Sequence, residues 1–522
     1  MSLSSTSLAA AVGASVKNVQ FQPTADTLPH KMAVVGTYDP SKTTVVDEEK
    51  ILLLSPEDAG DKFGFGFMLH RLCMAAAKGS NGVEMWAIPQ SEISGAQQSD
   101  GEIIVAVDGT VGAGTLALYI AGDYVPVVVP AGSSAAAIAA LVKSAIDGYE
   151  GDILMVTAGT VSTSTIPVTS KSAGPWGDAI TLAVNLNAGD KYPTGVSVTF
   201  TAMSGGAGTP DIAPALAALG SGDDANEDWF TELVHGYGMV TDVLDDISAY
   251  VGAGNEYIGL YDKLVSRPLV SLCGNVATGS AGLQALIAVT DLRLEDRANG
   301  VVCVPGSQTH PAEIAALALG IRARTNNDVA AESYIGKMLP GVLPGLNLST
   351  SRWTSDYDSR DTAVKNGISP TRVRNGVVYL QNVVTFYRPA SIPVSSNGYR
   401  SMRNISILQN VLYNIRRNFE QEKWLGYFIV EDVDNVGSTV DRQKARDIDA
   451  VINDLMALAY AFENKGWIYT ASFTIDRLKQ AGAVSIRSGT TGFDAYFPII
   501  LSGEGAILDI MTLFDTSIAA LQ

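Results

Sequence analysis

The feature that most constrains the fold is an interruption. From Lys31 the chain alternates short apolar strands with helices; that texture stops near Ser94, gives way to a different one until about Gly208, and resumes at DIAPALAALG. Before the break, MAVVGTY reads as a buried strand ending at Gly36. SPED then starts a helix running from Pro56 to Lys78, with acids in its first turn where they suit the helix dipole, and VEMWAIP at 83–89 is a second strand. Inside the break, GEIIVAVDG, GTLALYIAG, DYVPVVVP, ILMVTAG, AITLAVNL and GVSVTFTAM alternate apolar and polar residues between closely spaced turns, with one Ala-rich helix at SSAAAIAALVKSAI. This pattern predicts a small, mostly β domain inserted into a loop of the first core, bracketed by the Gly/Ser-rich hinges ISGAQQSDG and SGGAGTP.

After the re-entry, WFTELVHGYGMV and RPLVSLCG read as strands flanking a helix around VLDDISAYVGAG. LQALIAVTDLRLED is amphipathic, GVVCVPG is a buried strand, and PAEIAALALGIRAR is a helix with Pro at its start. At 522 residues the chain exceeds one ordinary core. The expected fold class is α/β (α+β): a core of more than one subdomain, an inserted mostly β domain, and extended N- and C-terminal arms. The expected divisions are an arm at 1–29, the first part of the core at 30–93, the insertion at 94–208 and the second part of the core at 209–361. A C-terminal inner domain at 362–488 and a strand arm at 489–522 complete the chain.

Charge divides the chain differently. The whole sequence holds 54 acids against 35 Lys plus Arg, yet between Thr362 and Phe419 there is no acid and there are eight basic residues: Lys365, Arg372, Arg374, Arg388, Arg400, Arg403, Arg416 and Arg417. That stretch holds +8 and the remainder −27, so two surfaces with different partners are expected. Asn375-Gly376 in VRNGVVYLQNVVTFYRP predicts a tight hairpin. A helix is predicted from about Met402 to Trp424, with Ile405, Leu408, Leu412, Ile415 and Phe419 as its apolar stripe. Arg403, Asn410, Asn414 and Arg417 fall in a narrow sector opposite. They form either an exposed ridge that hydrogen-bonds an acidic partner or an ordinary solvated face.

Catalytic and metal signatures are missing from the sequence. His30, His70, His235 and His310 lie far apart, and no CxxC, HExxH, GxSxG or Walker A loop occurs. The acid pairs Asp223/Asp224, Asp245/Asp246 and Asp432/Asp434 read as helix caps or loops before they read as cation sites. Cys73, Cys273 and Cys303 are expected as reduced, buried thiols. No run approaches the roughly 18 apolar residues of a membrane span, and no positive charge precedes the Ala-rich N-terminal patch, so neither membrane insertion nor a signal peptide is expected. Both ends carry strand patterns, at Val16, Val19 and Phe21 and, after WIYTASFTI and AYFPIIL, at Ile507, Ile510 and Leu513. Edges of that kind suit strand addition between neighbouring subunits.

The order of these parts resembles the contractile tail sheath proteins of phages, in their Mu-like branch. The resemblance rests on the N-terminal arm, MAVVGTYDP, the insertion from GTLALYIAGDYVPVVVPAGSSAAAIAALVKSAI, the GGAGTPDIAPALAAL re-entry and the helix NISILQNVLYNIRRNFEQEKW. It implies a structural protein with no catalytic residue, cofactor or metal, forming six-fold rings of itself that stack helically around an inner tail tube protein. It also implies baseplate and tail terminator partners, exchange of terminal strands, and contraction on a baseplate trigger. The implied location is the virion tail, assembled in the host cytoplasm. On this reading Arg403, Asn410, Asn414 and Arg417 line the lumen and meet an acidic tube. The sheath of an R-type bacteriocin or another contractile injection device is the near alternative, and an α/β enzyme with an unrecognised cofactor site the remote one. A nucleic-acid binder is disfavoured by the surrounding −27.

Overall fold

The computed structural model describes residues 25–187, 189–220, 228–252, 258–262, 265–345, 352–390, 398–437, 444–487 and 492–504. Two compact units result, a larger one over Thr27–Leu412 and a smaller one made of Tyr413–Gly503 with the chain up to Asp26.

The larger unit begins with β1 (Lys31–Thr37), a nearly fully buried strand, then β2 (Ile51–Leu53) and two helices, α1 (Pro56–Phe63) and α2 (Met68–Ser80). One continuous helix was expected here, but Gly64 and Gly66 sit at φ +95° and +79°, a left-handed backbone that cannot continue a right-handed helix. The Gly66 N–H is taken up instead by His70 Nδ1 at 3.0 Å. β3 (Glu84–Gln90) then lies parallel to β1, Met32 opposite Met85.

The insertion holds β4 (Asp100–Val107), β5 (Gly114–Ile120), β6 (Asp123–Val129), α3 (Ala135–Asp147), β7 (Val156–Ala158), β8 (Thr165–Ser170), β9 (Leu182–Val184) and β10 (Val196–Ser204). They make a four-stranded sheet, β10-β4-β8-β7, and a three-stranded one, β6-β5-β9. α3 is capped by the Ser134 hydroxyl and buries Ile138, Ala139, Val142 and Ile146, the three-and-four spacing of an amphipathic helix.

The chain returns through α4 (Ala213–Ala218), β11 (Glu232–His235), α5 (Thr241–Val251), β12 (Val270–Asn275), α6 (Gly279–Thr290), β13 (Asn299–Cys303), α7 (Pro311–Asp328), α8 (Tyr357–Lys365), β14 (Ile368–Arg374), β15 (Val377–Leu380) and α9 (Met402–Phe419). Eight strands form one sheet in the order β15-β14-β13-β12-β11-β1-β3-β2. Its interior pairs are parallel; β2 and β15 close the two edges antiparallel. α7 is buried almost all round, its Glu313 and Arg322 included, and it crosses α2 where a Cβ on Gly79 would strike the Leu317 carbonyl. The β14–β15 turn has Asn375 and Gly376 at φ +50° and +76°, the conformation that tight hairpins require and that these residues tolerate. All three cysteines are free and buried.

The smaller unit contains α9 from Tyr413 onward, β16 (Phe428–Ile429), β17 (Ala445–Arg446), α10 (Ile448–Asn464), α11 (Ala471–Leu478), β18 (Val484–Ile486) and β19 (Phe493–Ala495). WIYTASFTI, expected as a strand, is mostly helix. Thr470 caps α11, and Ala471, Thr474, Ile475 and Leu478 are its buried residues, a helical period hidden among β-branched types. Extended pairing survives only just before it, where Tyr469 N–H donates to Ile500 O at 2.8 Å and Ser502 N–H to Trp467 O at 3.0 Å. Asp432 accepts from the Asp434 N–H at 2.8 Å, and Asp245 pairs with Arg293 at 2.8 Å, so two of the three acid pairs have structural work; Asp223/Asp224 lies outside the described residues.

Candidate functional site on helix α9

α9 carries the residues expected to face a tube. Ile405 of its apolar stripe is fully buried, and Leu408, Leu412, Ile415 and Phe419 are half-buried. The opposite sector corrects the expectation of an exposed ridge: Arg403, Asn410 and Asn414 are only 4 %, 0 % and 5 % exposed. A helical wheel says which residues share a side, but not what lies over it, and here that side is covered by chain from elsewhere.

Within the larger unit, Arg403 Nε donates to Ala331 O at 2.6 Å. Asn410 Oδ1 accepts from Leu28 N–H at 2.8 Å while its amide donates to Ser406 O at 2.9 Å. Within the smaller unit, Asn414 accepts from the Asp26 N–H at 2.9 Å and donates to the Asp26 carbonyl at 2.8 Å. Arg417 keeps a side chain 55 % exposed and pairs with the Asp26 carboxylate.

Beneath Leu28 lies a buried ionic cluster that sequence reading missed. His30 Nδ1 and Arg322 Nη1 both meet Glu232 Oε1, the former at 2.9 Å, and Thr231 donates to the other carboxylate oxygen. Arg322 Nη2 reaches Ser406 at 2.7 Å and Gln409 at 3.1 Å on α9; the Tyr334 hydroxyl lies 2.8 Å from Ser406 and donates to Asn326 at 2.7 Å. Burial alone would push the Glu232 carboxyl up, but the imidazole and the guanidinium beside it hold it below its ordinary value. His30 N–H also donates to Asn327 Oδ1 at 2.8 Å. TELVH and GIRAR gave little sign of this, because a charge inside an apolar run reads equally as a strand edge or a helix end.

The other basic residues of the acid-free stretch separate by environment. Arg372 and Arg374 are exposed on the hairpin strand β14. Arg388 pairs with Asp291, and Lys365 pairs with Asp361 at 2.5 Å. Arg400 is buried and donates to Val364 O; burial, then Arg388 nearby, lower its pKa to about 10. Val16, Val19, Phe21, Ile507, Ile510 and Leu513, expected in the strand arms, lie outside the described residues.

A crevice of about 330 Å³ opens at the carboxyl ends of the sheet, lined by Met68, Trp176, Gly236 to Val240, Gly274 and His310. β1 and β11 are paired neighbours whose following strands, β3 and β12, lie on opposite sides of them, the switch point where α/β enzymes bind ligands. Its described titratable side chains are already engaged: His310 Nε2 with Trp176 O at 3.0 Å and the Tyr237 hydroxyl with Gln90 at 2.8 Å. Among the described residues no group of three His, Cys, Asp or Glu is placed to hold a metal ion, and no helix is long and apolar enough to cross a membrane.

The chain is similar to contractile tail sheath proteins. It is 23 % identical over 443 residues, 84 % of each chain, to the Mu-like prophage FluMu tail sheath protein of Haemophilus influenzae. No family model matches it. Similar solved structures include the sheath tail protein of Desulfitobacterium hafniense (10 % identity, 91 % and 94 % of the two chains, TM-score 0.43). Another is the sheath of an extracellular contractile injection system, PVC, in its contracted state (8 % identity, 98 % and 99 %, TM-score 0.46).

Proposed function

We propose that the chain is a structural subunit of a contractile tail sheath. It polymerises as stacked six-fold rings around an inner tail tube and shortens on a baseplate signal, driving the tube through a cell envelope. The observation that carries this reading is the extent of the sequence similarity: 443 residues are more than either compact unit holds, so the likeness belongs to the whole order of parts. The partners are further copies of the chain, the inner tube protein, and baseplate and tail terminator proteins; the location is the virion tail, assembled in the host cytoplasm. Contraction of this kind needs no nucleotide, because subunits assembled in a metastable lattice release free energy as they rotate into new contacts.

Neighbouring copies exchange terminal strands. β18 and β19 form a sheet of only two strands, a structure of marginal stability by itself. They adjoin an apolar groove of about 330 Å³ lined by Phe419, Trp424, Tyr427, Leu455, Phe493 and Phe497, among others. Added strands bearing Val16, Val19 and Phe21, or Ile507, Ile510 and Leu513, would extend that sheet and fill that groove. Arg403, Asn410 and Asn414 are buried in this chain, so on this reading Arg417, the exposed member of that set, is the residue that meets an acidic tube.

Electron microscopy of the purified protein at rising concentration tests the sheath reading. Ordered hollow tubes are expected, and strict monomers under all conditions would overturn it. Particles recovered with or without a capsid separate a phage tail from an R-type bacteriocin.

A further inference from the structure

At the β15 edge of the eight-stranded sheet, strand register gathers exposed side chains into one patch, all of it within the larger unit. Arg372 lies opposite Tyr379, and Tyr379 lies opposite Met338 on a short extended segment beyond β15. Directly paired residues share a face, as do residues two apart in one strand, so Arg374 and Val377 continue the row. Arg372, Arg374 and Met338 are exposed, and Tyr379 and Val377 are half-buried. Thr371, Val378, Leu380 and Leu339, which alternate with them, are at most 2 % exposed and belong to the opposite face. The backbone of this edge is engaged: Leu380 N–H donates to Lys337 O at 2.8 Å and Leu339 N–H to Val378 O at 2.9 Å. What the patch offers is therefore side chains. Arg388 and Lys365 of the same acid-free stretch have acid partners, whereas Arg372 and Arg374 have none among the described residues. Arg360 on neighbouring α8 adds a third cation: burial, then Arg372, lower its pKa against a smaller pull from Asp356.

We propose, on the reading that the chain self-assembles, that this patch binds an acidic surface on a second copy of the chain. Arg, Tyr and Met are the residue types that protein interfaces concentrate, and guanidiniums fork onto carboxylates. The chain itself supplies the carboxylates, since outside residues 362–419 its charge is −27. Copies that repel one another overall attract where such a patch meets that surplus. Two copies facing each other through the same patch would set arginine against arginine, so the contact is head-to-tail and repeats from copy to copy.

Sedimentation velocity of the full chain at about 0.05 M and about 0.5 M salt tests this. Self-association past the dimer is expected at low salt and should weaken at high salt. Arg372→Glu with Arg374→Glu should weaken it about tenfold or more at low salt, and Tyr379→Ser should weaken it at both. Lys191→Glu with Lys479→Glu, the same change of charge at exposed residues elsewhere, should not. Equal losses from both pairs, or none from the arginine pair, would overturn the interface. So would an arginine-pair variant that self-associates as the native chain does yet no longer binds purified inner tube, which would assign the patch to the tube. Electron microscopy of the same samples separates this interface from the sheath reading. Arginine-dependent oligomers without tubes keep the interface and remove the sheath, and tubes formed by the arginine-pair variant at the native concentration keep the sheath and remove the interface.

Discussion

Glu232, His30 and Arg322 are stable in the interior only as a set, since each has given up water for the other two. Arg322→Met should therefore destabilise the larger unit by about 3–5 kcal/mol in urea unfolding, through the carboxylate it strands. Adding Glu232→Gln should recover part of that loss, and strict additivity would show that the residues do not act together. A second expectation concerns pH. Burial holds His70, His235 and His310 near a pKa of about 4, against 6.5 in an unfolded chain. Folded molecules then bind fewer protons than unfolded ones between about pH 4 and 6.5. The stability from neutral imidazoles is complete above 6.5 and is lost as pH falls toward 4. Glu313, whose pKa burial raises, has the opposite slope above its ordinary 4.5, so the clean measurement is a difference. His235→Gln should reduce proton uptake on unfolding in this window by about one, and an unchanged uptake would refute the assignment. At this scale the sequence showed which residues were unusual but not where they face. Arg403 and Asn410 were expected on an exposed face and are buried, and Asn410's partner Leu28 is 382 residues away, a distance that no local pattern encodes.

Elements were more readable than residues, because period and punctuation are local. β1, β3 and β13 come from apolar runs bounded by turns, α7 from a Pro-started helical run, and the β14–β15 hairpin from Asn375-Gly376. The failures are equally physical. The Pro56–Lys78 pattern concealed two glycines in left-handed backbone, and in WIYTASFTI the β-branched content outvoted a Thr cap and a three-and-four period. Thr470→Ala should thus cost about 1 kcal/mol by removing the α11 cap, with Thr470→Asn nearly neutral. Thermal unfolding compares the two, and equal losses would argue for a strand. The strand patterns expected at Val16 to Phe21 and at Ile507 to Leu513 lie outside the described residues.

For the whole molecule the question is what folding alone accomplishes and what assembly must add. The larger unit has its own sheet, packed by α2 and α7 and bordered at both edges by antiparallel strands. The smaller unit has a two-stranded sheet beside an aromatic groove, which is less than an independent domain ordinarily supplies. If strands from neighbouring copies complete it, a chain lacking residues 1–24 should fold with an unchanged far-ultraviolet spectrum and a melting temperature within a few degrees of the full chain. It should nevertheless form no tubes. Mixed with the full chain it should shorten tubes in proportion to its fraction, because a subunit without an arm still offers a groove but passes no strand onward. Tube length by electron microscopy against the mixing ratio is the measurement. Tubes of full length from the truncated chain alone would place the connecting interactions in the compact units and remove the arms from the lattice.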